Sequence, residues 1–136
     1  MQDLETAIGY TDTAVKVTPE DHSDRPRCLE NLSLLLATRY LQTDNLQDLE
    51  AALNYVEIAV AATSEGHPDH ASMLSTLSGH LRIRYERTRN LHDLEAAVSH
   101  VEKAVAVIPE NHPSRAGLVG SLGNLLSRRY EQTGNL

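Results

Sequence analysis

One segment of 45 residues is written three times in this chain, with no insertion or deletion between the copies. Asp3-Leu4-Glu5 returns as Asp48-Leu49-Glu50 and as Asp93-Leu94-Glu95. His22 returns as His67 and His112, Arg39-Tyr40 as Arg84-Tyr85 and Arg129-Tyr130, and Asn45-Leu46 as Asn90-Leu91 and Asn135-Leu136. Frames 2–46, 47–91 and 92–136 take up all 136 residues except Met1, and fifteen positions are identical in all three. A fixed period of roughly 20–50 residues marks a stacked array, because one short unit cannot bury both of its own apolar faces. The chain is therefore expected to be a single repeat domain over 1–136. It stops where the next Gln-Asp-Leu-Glu would begin, without a polar capping repeat, and so reads as a piece of a longer array.

Each frame reads as two helices. In the middle one, Leu49, Ala52, Leu53, Val56, Ala59 and Val60 recur at steps of three and four, which predicts a first helix over 46–63. Asn45 is its N-cap, and Asp48 three residues on completes a capping box. A turn follows, Pro19-Glu20-Asp21-His22 in the first frame and its equivalents in the others. Pro68 and Pro113 are expected at the first position of the second helix, where proline is tolerated. That helix is predicted over 68–88, with Met73, Leu77, Leu81 and Tyr85 as its apolar stripe, repeated as Leu118, Leu122, Leu126 and Tyr130. Pro26 is expected to shift the corresponding start in the first frame. Gly134 is a helix stop. Alanines seven apart (Ala7 and Ala14, Ala52 and Ala59, Ala97 and Ala104) let neighbouring helices approach closely. No segment alternates like a strand. The expectation is all-α: six helices stacked as hairpins in an α-solenoid.

Composition narrows the function classes. Twelve Lys and Arg against nineteen Asp and Glu give a net charge of −7, which repels phosphate backbones and argues against nucleic acid as a partner. One cysteine, Cys28, excludes an internal disulfide framework or a multi-cysteine zinc site and fits a reducing, cytoplasmic setting. No apolar run approaches the ~18 residues of a membrane helix, and the start, Met1-Gln2-Asp3-Leu4-Glu5, does not read as a signal peptide.

Ala97, Val101 and Ala104 of one helix and Pro109 after it, with Val119, Leu122 and Gly123 of the next, resemble the tetratricopeptide repeat. The resemblance covers the whole chain, but the unit is 45 residues against about 34, and Val, Thr or Ala stand where aromatics are usual. It is similar to the self-similar repeats of large fungal proteins that accompany signalling ATPase or CHAT-peptidase domains. The resemblance implies a right-handed superhelix whose groove holds peptides. HEAT and armadillo repeats, nearer in period, remain the second choice.

The polar residues that recur read as structure, since a reaction centre is needed once and a structural device in every unit. His22, His67 and His112 lie about 10 Å apart at helix-packing spacings, too far to share a metal, and are expected to cap or contact the next helix. Asp3, Asp48 and Asp93 with Glu5, Glu50 and Glu95 suit the positive end of a helix dipole. Arg39, Arg84 and Arg129 are expected to pair with these acids, within or between frames. Cys28 aligns with Met73 and Leu118 and reads as a core thiol. Gly120 and Gly123 are assigned to close helix packing. Arg82, Arg84, Arg87 and Arg89 read as a solvated helix end, with an acidic-peptide patch as the sharper reading. No phosphate loop, zincin or hydrolase motif occurs. Catalytic, cofactor and metal sites are therefore expected to be absent, and the chain is read as a non-enzyme.

Positions that vary between frames are free to carry specificity. On the long helices they include Arg27, Glu30, Leu34 and Thr38, then Ser72, Ser75, Gly79, Arg82 and Ile83, then Asn124 and Arg128. These form the candidate groove for a protein or peptide partner. The alternative is head-to-tail self-association through exposed ends, with Leu4, Ile8 and Val15 at one and Leu118, Leu122 and Leu126 at the other.

Overall fold

The computed structural model describes residues 2–134, so the third Asn-Leu pair, Asn135-Leu136, lies outside the described residues. Among the described residues the chain is all-α, with six helices and no strand. They are α1 (Gln2–Val17), α2 (Arg25–Thr43), α3 (Leu46–Ala61), α4 (His70–Thr88), α5 (Leu91–Val107) and α6 (Arg115–Thr133). Each frame supplies a short helix and a 19-residue long one. Among the described residues no helix is long and apolar enough to cross a membrane.

The chain divides into two compact units, Met1–Ser64 with α1–α3 and Glu65–Leu136 with α4–α6. The division falls inside the middle frame. In the first unit α2 packs far more extensively on α3 than on α1, and in the second α4 packs more extensively on α5 than α6 does. The tight pairs are thus a long helix and the short helix that opens the next frame.

The corner between them explains why. Only Asp44-Asn45 connects α2 to α3, and only Arg89-Asn90 connects α4 to α5. Asp44 and Arg89 both turn into the left-handed region at φ 61°, and their N–H groups donate to the Tyr40 and Tyr85 carbonyls at 2.7 Å. Gly134, at φ 73°, makes the same bond to Tyr130 and is the helix stop expected of it. The Thr43 and Thr88 hydroxyls accept the Asn45 and Asn90 N–H groups at 3.3 Å. The Asn side chains then cap the short helices by accepting from the Gln47 and His92 N–H groups at 3.0 Å.

Across each corner runs an ion pair. Arg39 Nε and Nη2 donate to the two carboxylate oxygens of Asp48, both at 2.8 Å, and Arg84 takes Asp93 in the same fork at 2.9 and 2.8 Å. Arg39 Nη1 also donates to both Glu5 oxygens, at 3.0 and 3.2 Å, so one guanidinium ties α1, α2 and α3 together. The expected pairing with the repeated acids holds for Arg39, within a frame to Glu5 and between frames to Asp48, and for Arg84 to Asp93, whereas Arg129 makes no such pair among the described residues. The expected capping box does not form. Asp48 is committed to Arg39, and the Asn45 N–H that it would have accepted goes to Thr43 instead.

The apolar stripes predicted for α3 and α4 are buried apart from the half-buried Val60, while of the α6 stripe Leu118 is buried, Leu122 and Leu126 are half-buried and Tyr130 is exposed. Leu49, Ala52, Leu53, Val56 and Ala59 of α3, and Leu94, Ala97, Val98, Val101 and Ala104 of α5, are buried. The alanines do permit close approach, since the Ser78 hydroxyl of α4 reaches the Ala97 carbonyl of α5 at 2.9 Å. The long helices begin two residues later than predicted, with Pro68 and Pro113 in the preceding turn. Pro26 shifts nothing. Arg25, His70 and Arg115 all open their helices at the same point of the frame, and Pro26 occupies the second helical position, where its missing N–H is not needed. The assignment of Gly120 and Gly123 to close packing is also corrected, because a Cβ at either would meet no atom within 4 Å.

Asp48 is buried, so removing its partner leaves an uncompensated charge. Arg39→Met is expected to destabilise the chain by about 2–3 kcal/mol in denaturant titrations, with Asp48→Asn added to it recovering at least half of that. Equal losses in the single and double variants would show that the fork does not couple the helices.

Candidate functional site

The turns between short and long helices are built on the repeated histidines. His22, His67 and His112 each accept, through Nδ1, the backbone N–H two residues on, from Asp24, Asp69 and Ser114 at 3.0 Å. Their carbonyls accept the N–H of the first helical residue, at 3.0–3.1 Å. The N-cap residues lie in the right-handed helical region and make no side-chain cap of their own, so the imidazole takes over that duty. The histidines are turn devices, as their recurrence implied.

A second device was not anticipated. Arg25 Nη1 donates to the Val15 and Thr18 carbonyls at 2.7 Å, and Arg115 Nη1 to the Val105 and Ile108 carbonyls at 3.3 Å. A guanidinium at the carbonyl end of a helix satisfies orphan acceptors and complements the dipole. The recurrence of Arg25 at Arg115 was the available signal.

In the second unit these turns frame a cleft of about 1140 Å³. Ser72, Ser75 and Thr76 of α4 face Gly117 and Ser121 of α6 across it. Val107, Ile108 and Pro109 give it an apolar end, and the His67-Pro68 and His112-Pro113 turns also line it. Its walls are small side chains with hydroxyls, and no atom lies within 4 Å of where a Gly117 Cβ would sit. Of the candidate groove residues, Ser72 and Ser75 line this cleft, and Leu118, assigned to an end, lines it as well.

Further along the same two helices, Arg82 and Arg128 meet on one carboxylate. Their Nη1 atoms lie 2.7 and 3.1 Å from Glu86 Oε1. The sequence reading paired neither arginine with Glu86, although Arg82 and Glu86 stand at the i, i+4 spacing of helical ion pairs. The arginine run is no open basic patch: Arg82 is held by Glu86, Arg84 by Asp93, and Arg89 lies 5.6 Å from the Tyr85 ring centre.

The other candidates are placed elsewhere. Gly79, Ile83 and Asn124 do not line the cleft. In the first unit Arg27, Leu34 and Thr38 are exposed, while Glu30 is buried and is corrected from a groove position. That unit's own cavity, about 320 Å³, is lined by Glu20, Arg25, Pro26, Leu29, Ile58 and Ala62, none of them candidates. The expected exposure of the end stripes is also corrected. Ile8, Val15 and Leu118 are buried, and Leu4, Leu122 and Leu126 are half-buried. Cys28 is half-buried, less enclosed than Met73 and Leu118 at its position.

Compared with models of known protein families, the sequence matches none, and no curated protein matches it.

One buried group in the second unit carries a pH dependence. His80 stands where the other frames have Leu35 and Leu125, and burial lowers its pKa from 6.5 to about 4. The unfolded chain therefore binds a proton between those values that the folded chain refuses. Stability is complete above pH 6.5 and falls as the pH drops towards 4, by about 3 kcal/mol from this group. His80→Leu is expected to remove that slope, widening its advantage over the parent by about 2 kcal/mol between pH 7 and pH 5 in parallel denaturant titrations. A constant difference would show that His80 titrates normally.

Proposed function

We propose that this chain is a non-catalytic protein–protein interaction scaffold, a tetratricopeptide-like α-solenoid segment of a larger signalling protein. One contrast supports the reading. The repeated arginine–aspartate forks and the repeated imidazoles hold the corners and turns, while the cleft in the second unit is walled partly by positions that differ between frames. Ser72 and Gly117 stand where the first frame has Arg27, and Ser75 where it has Glu30. A wall of hydroxyls and a bare helix backbone beside Ile108 and Pro109 suits a short peptide, whose backbone finds hydrogen bonds and whose apolar side chain finds the apolar end. The paired state of Arg82, Arg84 and Arg128 favours a neutral peptide over an acidic one. The single thiol fits a cytoplasmic setting.

Selection of peptides from a random display library against the intact chain tests this. A Cβ at position 117 meets no atom within 4 Å, so Gly117→Phe can place a ring in the cleft and is expected to cut affinity for the selected peptides more than tenfold while leaving the melting temperature unchanged or higher. Failure to select any peptide, or equal binding by the variant, removes the proposal.

A further inference from the structure

The cleft and the Arg82–Glu86–Arg128 junction lie on the same two helices, one towards each end. The cleft takes in α4 as far as Thr76 and α6 as far as Ser121. The junction stands further along both helices, at Glu86 and Arg128, ten and seven residues on. At about 1.5 Å per residue that is roughly 10–15 Å. α4 packs on α5 and α5 on α6, whereas no comparable packing brings α4 and α6 together among the described residues. The walls of the cleft thus belong to two helices whose bridge is a carboxylate. Glu86 Oε1 takes Arg82 of its own helix at 2.7 Å and Arg128 of the other at 3.1 Å.

This bridge is not part of the repeat. Leu41 stands at the position of Glu86 in the first frame, and Thr38 and Ile83 stand at that of Arg128 in the first and second. Like Ser72, Ser75 and Gly117 in the cleft, the bridge is made of positions that differ between frames. The Arg82, Glu86 and Arg128 side chains are 39%, 38% and 41% exposed, so salt reaches them. Exposed pairs of this kind contribute little to overall stability. They can still select among helix tilts of nearly equal energy. A small tilt at the junction becomes a larger displacement at the far end of the helix, where the cleft is.

We propose that Glu86 is the positioning residue of the cleft: by holding Arg128 it sets the separation of the α4 and α6 walls, and salt that screens the pair loosens them. The consequence for peptide binding rests on the function proposed for the cleft; the consequence for the walls does not.

Spin labels at Ser72→Cys and Gly117→Cys, in the full chain with Cys28→Ala, measure the wall separation. One narrow distance is expected at low ionic strength. Raising the salt to about 1 M, where charges are screened beyond ~3 Å, is expected to shift or broaden it by a few ångströms. Glu86→Gln is expected to do the same at low salt and then to show no further response to salt. Exchanging the charges, Glu86→Arg with Arg128→Glu, is expected to restore the narrow distance. Peptides selected by the parent are expected to bind Glu86→Gln about three- to fivefold more weakly. The substituted ion-pair side chains are more than a third exposed, so the fold is retained, as circular dichroism will report. A separation that ignores both Glu86→Gln and salt overturns the proposal, as does a charge exchange that fails to restore it. Walls that respond while selected peptides bind the variant equally well overturn the role of Glu86 in binding. Walls that respond when no peptide can be selected uphold the clamp and remove the peptide function instead.

Discussion

A guanidinium reaching nine residues forward along the chain, from Arg39 to Asp48 and from Arg84 to Asp93, is the constraint on which the rest depends. Its fork can close only if the long helix ends at the left-handed residue after Thr43 or Thr88. The short helix must also begin at once, so that its first-turn aspartate faces back. That fixes the angle of the corner, and with the corner fixed the apolar stripes of the two helices meet. Burying such a pair contributes little net stability, because desolvating both charges offsets most of their attraction. What it supplies is register: a helix rotated by one residue would leave Asp48 or Asp93 buried without a cation. Arg39 extends the same control to α1 through Glu5.

The repeat explains both what was legible and what was not. Helix number, the apolar stripes of α3 and α4, the asparagine caps of α3 and α5 and the pairing of Arg39 and Arg84 with acids follow from local rules that recur between frames, so agreement in one frame was checked by another. The misses are competitions between local rules. Asp48 satisfies the pattern of a capping box, yet a charged fork outranks a single backbone bond and takes it. Pro68 and Pro113 satisfy the pattern of a first helical residue, yet the imidazole two residues before the N-cap holds the turn open past them. Gly120 and Gly123 lie inside a helix, which suggests a packing role, yet a place inside a helix does not say whether a neighbour comes close.

The candidate site was half legible for a different reason. Variation between frames identifies positions that the fold leaves free, and Ser72 and Ser75 emerged that way. It cannot say which free positions come together. Arg82 and Arg128 were singled out separately and prove to share Glu86, an acid that α4 itself supplies to α6. The same comparison turns His80 into a deliberate departure. A histidine where the other frames have Leu35 and Leu125 costs more stability in acid than at neutral pH.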